Sequence, residues 1–197
     1  MPVLGLDFDD TVFHYLKGLQ AFIVKKESDF FKDMTLEQID SHFPELESYD
    51  KFIWTLIGND RSKFEQYHCE AVEAGLFKEL EVMDNASAVL HKLIKEHGFE
   101  IYGITKRFVR NGQHARVLTD TAISLDKHDI PFHDIMFVRN KVDVMADVYL
   151  DDSPSNINAL RAAGRTVVVF DQKYNRDLAG PRVSNWNEAY DLLSTMF

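Results

Sequence analysis

Cysteine is almost absent from this chain of 197 residues, Cys69 being the single one. An intrachain disulfide is therefore impossible, which fits a reducing compartment and predicts a cytoplasmic location. Cys69 lies in the helical pattern Tyr67-His68-Cys69-Glu70-Ala71 and lacks the surroundings of a nucleophilic thiol. Long apolar runs are also missing. None approaches the roughly 20 residues of a membrane span, and Met1-Pro2 runs straight into an apolar strand rather than a signal peptide. Basic charge is in deficit: 22 Lys and Arg against 32 Asp and Glu give a net charge of −10. That balance argues against long nucleic acid, which needs a basic face. It leaves room for a small phosphorylated ligand, held locally by a cation, a lysine and backbone N–H groups. The eight histidines are scattered without a close pair at metal-ligand spacing, and all, His14 included, read as structural or exposed. No internal repeat or low-complexity run is present.

What the chain has instead is carboxylate at the ends of apolar strands. Val3-Leu4-Gly5-Leu6 runs into Asp7-Phe8-Asp9-Asp10-Thr11. Carboxylates crowded in this way repel one another and disfavour ionisation. A hard divalent cation with oxygen ligands makes such a cluster tolerable. A second strand pattern, Val148-Tyr149-Leu150, ends in Asp151-Asp152, with Ser153 and Pro154 placed to open a helix. In a parallel sheet all strands end on one edge, where ligands bind, so the two acidic ends can share one metal. A third strand, Glu100 to Ile104, leads into Thr105-Lys106-Arg107, a hydroxyl and two cations suited to a phosphoryl group. Lys141 follows another apolar segment, Asp134 to Val138.

Between these strands the periodicity is helical. Leu16, Leu19, Phe22 and Ile23 mark a helix from Tyr15 to Lys26. Thr35 with Gln38, and Ser62 with Glu65, fit capping boxes. Gly75 and Gly98 read as helix stops, the latter closing a helix begun at Asp84 or Asn85. Further helices are expected over Gly112–Lys127, Pro154–Ala163 and Asn187–Met196, and further strands over Ile135–Val138 and Thr166–Phe170. Strands alternating with helices imply a parallel sheet with right-handed crossovers. Far more chain separates Phe8 from Ile101 than one crossover needs. The surplus predicts a small helical insertion of about 60 residues on the ligand edge.

Taken in order, Asp7-Phe8-Asp9-Asp10-Thr11, Thr105, Lys141 and Asp151-Asp152 resemble the four motifs of the haloacid dehalogenase (HAD) superfamily phosphatases. The resemblance implies a HAD-like Rossmannoid three-layer α/β fold with a parallel sheet. The core would be residues 1–14 and 78–197, with a helical cap over 15–77. It makes Asp7 the nucleophile, able to form an aspartyl-phosphate, and Asp9 the proton donor and acceptor. Mg²⁺ would lie on Asp7, on the backbone carbonyl of Asp9, and on Asp151 or Asp152. Thr105 and Lys141 would hold the phosphoryl oxygens, while Asp10 and Thr11 shape the turn.

Gly75-Leu76-Phe77-Lys78-Glu79-Leu80, the stretch Val169 to Arg176 and Arg182-Val183-Ser184-Asn185-Trp186 are similar to the 5′(3′)-deoxyribonucleotidase family. The chain departs from the mammalian members at Asp10, where they carry Gly, and at Thr105-Lys106-Arg107, where they carry Thr-Ser-Pro. This narrower resemblance implies a nucleoside monophosphate substrate. Trp54 and Phe77 are the first candidates to stack on its base, and Tyr15 and Phe52 the next, among cap aromatics that also include Phe64 and Tyr67. Lys106, Arg107, Arg110 and Arg139 each read as a solvated or surface-paired charge, although some could border the phosphate, Lys106 being the first candidate. The alternatives are another small phosphomonoester such as a phosphosugar, a receiver-like phosphoacceptor, or a nucleotide-binding protein with weak turnover.

Overall fold

A computed structural model describes residues 1–48, 53–107 and 113–197. Six strands form one sheet in the order β3-β2-β1-β4-β5-β6. They are β1 (Val3–Leu6), β2 (Glu100–Thr105), β3 (Asp134–Phe137), β4 (Val148–Asp151), β5 (Val167–Phe170) and β6 (Arg182–Val183). Every pairing is parallel. Side chains alternate between the two faces, as the strand period requires. Leu4, Leu6, Val148, Leu150, Val168 and Phe170 join one apolar cluster. Tyr149, Val167 and Val169 join a second. Helices cover both faces, so the strands β1, β4 and β5 are buried almost throughout, and the molecule is a three-layer α/β structure.

Helix α1 (Tyr15–Lys26) has the expected bounds, and α3 (Leu36–Ser41) begins with the expected Thr35–Gln38 capping box. Two short helices were not foreseen, α2 (Ser28–Phe31) and α5 (Leu76–Glu79). Helix α4 (Arg61–Glu73) corrects the cap assignment: Asp60 is its N-cap, accepting from the Ser62 and Lys63 amides. Helices α6 (Ala86–His97) and α7 (His114–Lys127) flank β2, and the expected start of α7 at Gly112 lies outside the described residues. Helix α8 (Pro154–Ala162) has Pro154 in its first turn, yet Ser153 makes no side-chain cap. Its hydroxyl meets that of Ser155 instead. Helix α9 (Trp186–Met196) is capped by Asn185. Strand β6 carries only two residues, too few for a period-two pattern to show.

The two ends of the segment between β1 and α6 lie side by side. The His14 amide donates to the Glu81 carbonyl at 3.0 Å, and the Met83 amide to the Val12 carbonyl at 2.8 Å. The helical insertion therefore leaves and rejoins the sheet at one place, beside the end of β1.

Close packing holds that end in position. Phe8 is fully buried, and a Cβ added at Gly103 on β2 would lie 2.4 Å from its ring. Gly103→Ala is expected to destabilise the fold by about 1–3 kcal/mol through overpacking. Thermal melting checks this, and an unchanged melting temperature would show that the strand end repacks freely.

Candidate active site

Strands β1, β2 and β4 stand together mid-sheet and deliver their C-terminal residues to one edge. The Asp7 amide donates to the Leu150 carbonyl at 3.0 Å, so the chain leaves β1 in register with β4. Beyond it the backbone closes a tight turn in which the Phe8 carbonyl accepts from the Val12 and Phe13 amides, both at 2.9 Å. Asp10 occupies the left-handed region of that turn (φ 54°), a conformation Asp tolerates better than most residues. The turn is anchored from the far C-terminal segment. The Gln172 side chain donates through Nε2 to the Asp10 carbonyl at 2.7 Å, and the Trp186 indole to the Thr11 carbonyl at 3.1 Å.

Asp7, Asp151 and Asp152 are buried and bring carboxylate oxygens within 4.8 Å of one another. Among the described residues, a single ammonium lies between them. Lys141, itself buried in a 3₁₀ turn (Lys141–Asp143), places its Nζ 2.7 Å from Asp7 Oδ1 and 2.7 Å from Asp151 Oδ2. Asp151 also accepts from the Ser153 amide and the Asn156 side chain. Asp152 accepts from the Thr11 hydroxyl at 3.0 Å and from the Tyr174 hydroxyl. Burial, offset by Lys141 and reinforced by Asp151, pushes the Asp7 carboxyl up to about 7. Asp152 is raised well above the carboxylate range by burial and by Asp7 and Asp151. Asp10 is pushed up to about 8, mainly by burial, although it accepts from the Leu16 amide at 3.1 Å. The Lys141 ammonium is held charged because Asp151 and Asp7 outweigh the cost of its burial. Three buried carboxylates share one lysine among the described residues, and burial together with their crowding raises Asp7 and Asp152. The oxygen donor set is the one hard divalent cations take, so the residues fit such a metal.

The structure brings Asp7, Lys141, Asp151 and Asp152 together and sets Thr105 at the end of β2, fully buried. The Asp9 carboxylate lies apart from the triad. It is gripped by Arg107, with Nη2 2.7 Å and Nε 3.1 Å from Oδ1. This corrects the reading of Arg107 as a solvated charge. Its side chain is 0% exposed, against 28% for Asp9. One position earlier, Lys106 is exposed, as a surface charge would be.

A cavity of about 470 Å³ opens in front of Asp7 and Asp9. Tyr15, Phe64, His68 and Phe77 wall it on the helical side, and Lys106 borders it. Trp54 is not among its lining residues. It is buried against Phe43, donates its indole N–H to the Pro44 carbonyl at 3.2 Å, and borders a different cavity beyond Leu16 and Leu46. Phe52 and Arg110 lie outside the described residues. Four residues of α4 that reach the cavity are not singled out for binding by the sequence. Arg61, Phe64, Glu65 and His68 follow i, i+3, i+4, i+7 spacing along α4 and all line the cavity, a stripe visible in the sequence although only partly apolar. His68 stacks on Phe64 at 6.4 Å and its Nδ1 lies 2.8 Å from the Tyr15 hydroxyl, with burial lowering its pKa.

Solved structures share this architecture. A HAD-superfamily hydrolase of Geobacter sulfurreducens, 17% identical, aligns over 98% of this chain and 99% of its own with a TM-score of 0.55. A HAD-hydrolase of Bacillus subtilis, solved bound to magnesium, is 13% identical over 98% of both chains with a TM-score of 0.58. These likenesses show a HAD-type fold. Residues 2–196 match the profile of the family described as 5′ nucleotidase, deoxy (pyrimidine), cytosolic type C protein, and the chain belongs to that family. A Chlorobaculum tepidum protein named "Putative 5′(3′)-deoxyribonucleotidase" is 30% identical over 192 residues, covering 97% of this chain and 89% of the relative. The protein is thus a phosphatase of 5′-nucleotidase type. Among the described residues no helix is long and apolar enough to cross a membrane.

The buried carboxylates set a pH dependence. Asp7 and Asp10 titrate near 7 and 8 folded, against 3.8 unfolded. Between those limits the folded state holds more protons, so stability falls as pH rises. Metal-free protein should melt higher at pH about 5 than at pH about 8. Divalent cation should narrow the gap, and Asp7→Asn should flatten the slope. Melting curves across that range check it; a rising slope would contradict the burial of ionisable carboxyls.

Proposed function

We propose that this protein is a Mg²⁺-dependent 5′-nucleotidase that hydrolyses (deoxy)ribonucleoside monophosphates through a phosphorylated Asp7. The observation that carries the reading is the position of Asp7, bridged by Lys141 to Asp151 and close to Asp152, facing an aromatic-walled cavity. We assign residues 15–77 as the cap and the remainder as the catalytic core.

In the first half-reaction an Asp7 carboxylate oxygen attacks phosphorus in line, and the bond to the nucleoside oxygen breaks. Asp9 delivers a proton to that oxygen, so a neutral alcohol departs. In the second half Asp9 takes a proton from water as it attacks phosphorus, and the acyl-phosphate bond to Asp7 breaks. Lys141 donates a hydrogen bond to Asp7 at 2.7 Å and fixes the orientation of the nucleophile. Thr105 and Lys106 receive the phosphoryl oxygens from the β2 end. Mg²⁺, when bound at Asp7, Asp151 and Asp152, would neutralise the anions that must approach each other.

The nucleoside then lies in the cavity, with its base against Tyr15, Phe64, His68 and Phe77. Trp54 packs against Phe43 inside the insertion and does not face this cavity.

Two experiments test the proposal. Phosphate release from a panel of nucleotides and phosphosugars should favour nucleoside monophosphates, stop with EDTA and return with Mg²⁺; Asp7→Asn should abolish it without loss of folding. Sustained turnover by folded Asp7→Asn would remove the covalent route, and phosphosugars as the best substrates would replace the nucleotide assignment. In addition, Phe64→Ala should lower kcat/KM for nucleotides by roughly one to two orders of magnitude, the value of about 1–3 kcal/mol of stacking. An aryl phosphate without a base should change little. Trp54→Ala should lower melting temperature without altering the ratio between the two substrates; equal loss on both for Phe64→Ala would return Phe64 to a packing role.

A further inference from the structure

We infer that Arg107 is the positioning residue for Asp9, fixing the direction of the carboxyl group that exchanges a proton with the leaving oxygen. The inference rests on the proposed acid–base role of Asp9 and adds what aims it.

Among the described residues, Arg107 is the only side chain seen hydrogen-bonded to the Asp9 carboxylate. It uses a fork: Nη2 lies 2.7 Å from Oδ1, and Nε lies 3.1 Å from Oδ1 and 3.2 Å from Oδ2. A two-point grip on a planar carboxylate fixes its plane as well as its place. The guanidinium is itself immobilised. Nη1 donates to the Thr121 hydroxyl on α7 at 3.1 Å. Its central carbon lies 4.4 Å from the Phe77 ring centre and 5.4 Å from those of Phe8 and Phe13. Three rings, one hydroxyl and one carboxylate occupy its directions, and a lysine could reproduce the charge but not the fork. Phe8 and Phe13 belong to the nucleophile turn, and Phe77 to the wall of the substrate cavity. Arg107 thus joins the aim of Asp9 to both.

A group that only stabilised the fold would affect all substrates alike. A group that aims a proton donor matters in proportion to the leaving group's need for a proton. The test compares a nucleoside monophosphate, which expels a strongly basic alkoxide, with p-nitrophenyl phosphate, which expels a weakly basic phenolate. Turnover is measured for wild type, Asp9→Asn, Arg107→Met, Arg107→Lys and the Asp9→Asn/Arg107→Met double variant. Arg107→Met should lose roughly 10- to 100-fold on the nucleotide, part of the general-acid contribution, and less than about threefold on the aryl phosphate. Arg107→Lys should show the same bias with smaller loss, and it carries the test alone if Arg107→Met does not fold. The double variant should be no slower than Asp9→Asn. Equal losses on both substrates for the Arg107 variants, or additive losses in the double variant, would overturn the inference. Asp9→Asn separates the two levels: if its own losses are equal on both substrates, the acid role of Asp9 fails; if they are biased while those of Arg107 are not, only the role of Arg107 fails.

Discussion

Everything at the catalytic edge depends on one electrostatic constraint. Asp7, Asp151 and Asp152 are buried within 4.8 Å of one another, and Lys141 is the ammonium placed among them. Isolated buried carboxylates are costly, so the surrounding structure is organised around their charge. Thr11, Tyr174, Ser153 and Asn156 each donate to the pair at the end of β4. Gln172 and Trp186 hold the turn that carries Asp7. A parallel sheet makes the arrangement possible, because β1 and β4 are neighbours that end on the same edge. The charge crowded there is what a divalent cation can neutralise.

The insertion between β1 and α6 adds the second half of the site. Its helix α4 turns Arg61, Phe64, Glu65 and His68 toward the cavity. Phe77, further along, touches the cavity on one side and the Arg107 guanidinium on the other. Chemistry at the sheet edge and contacts on the helical wall thereby share residues. Asp10 and Arg107, two of the positions where this chain departs from the deoxyribonucleotidase pattern, both become structural members of that junction. Asp10 accepts from the Leu16 amide in α1, and Arg107 holds Asp9.

Much of this was legible in the sequence, and the rest was hidden for identifiable reasons. The parallel sheet could be read from apolar strands that end in carboxylates, and α1 from its strict apolar spacing. Asp7, Lys141 and Asp151 could be grouped because the ordered motifs, taken jointly, supply partners for one another, although each alone reads as a solvated charge. Arg107 was misread because a charge after a strand is ordinarily solvated. Only the tertiary approach of Asp9, 98 residues away in sequence, and of three phenylalanine rings makes it a buried pair. Trp54 and Phe64 look alike as cap aromatics. Their opposite fates depend on which way short helices face, which α4 reveals only once its polar cavity stripe is accepted as a face. The β6 strand and the Tyr174–Asp152 contact escaped because two residues carry no period and a tyrosine carries no motif of its own.

In the proposed route Asp7, held by Lys141 within the buried triad, is the nucleophile that receives the phosphoryl group. Acid-quenching the enzyme during turnover of a nucleoside monophosphate and sequencing its peptides by mass spectrometry tests this most directly. The account predicts a phosphoryl group on the peptide carrying Asp7, localised to Asp7 and absent from the Asp7→Asn protein. Turnover with no protein-bound phosphoryl group at any quench time, or with the group on another residue, would contradict it.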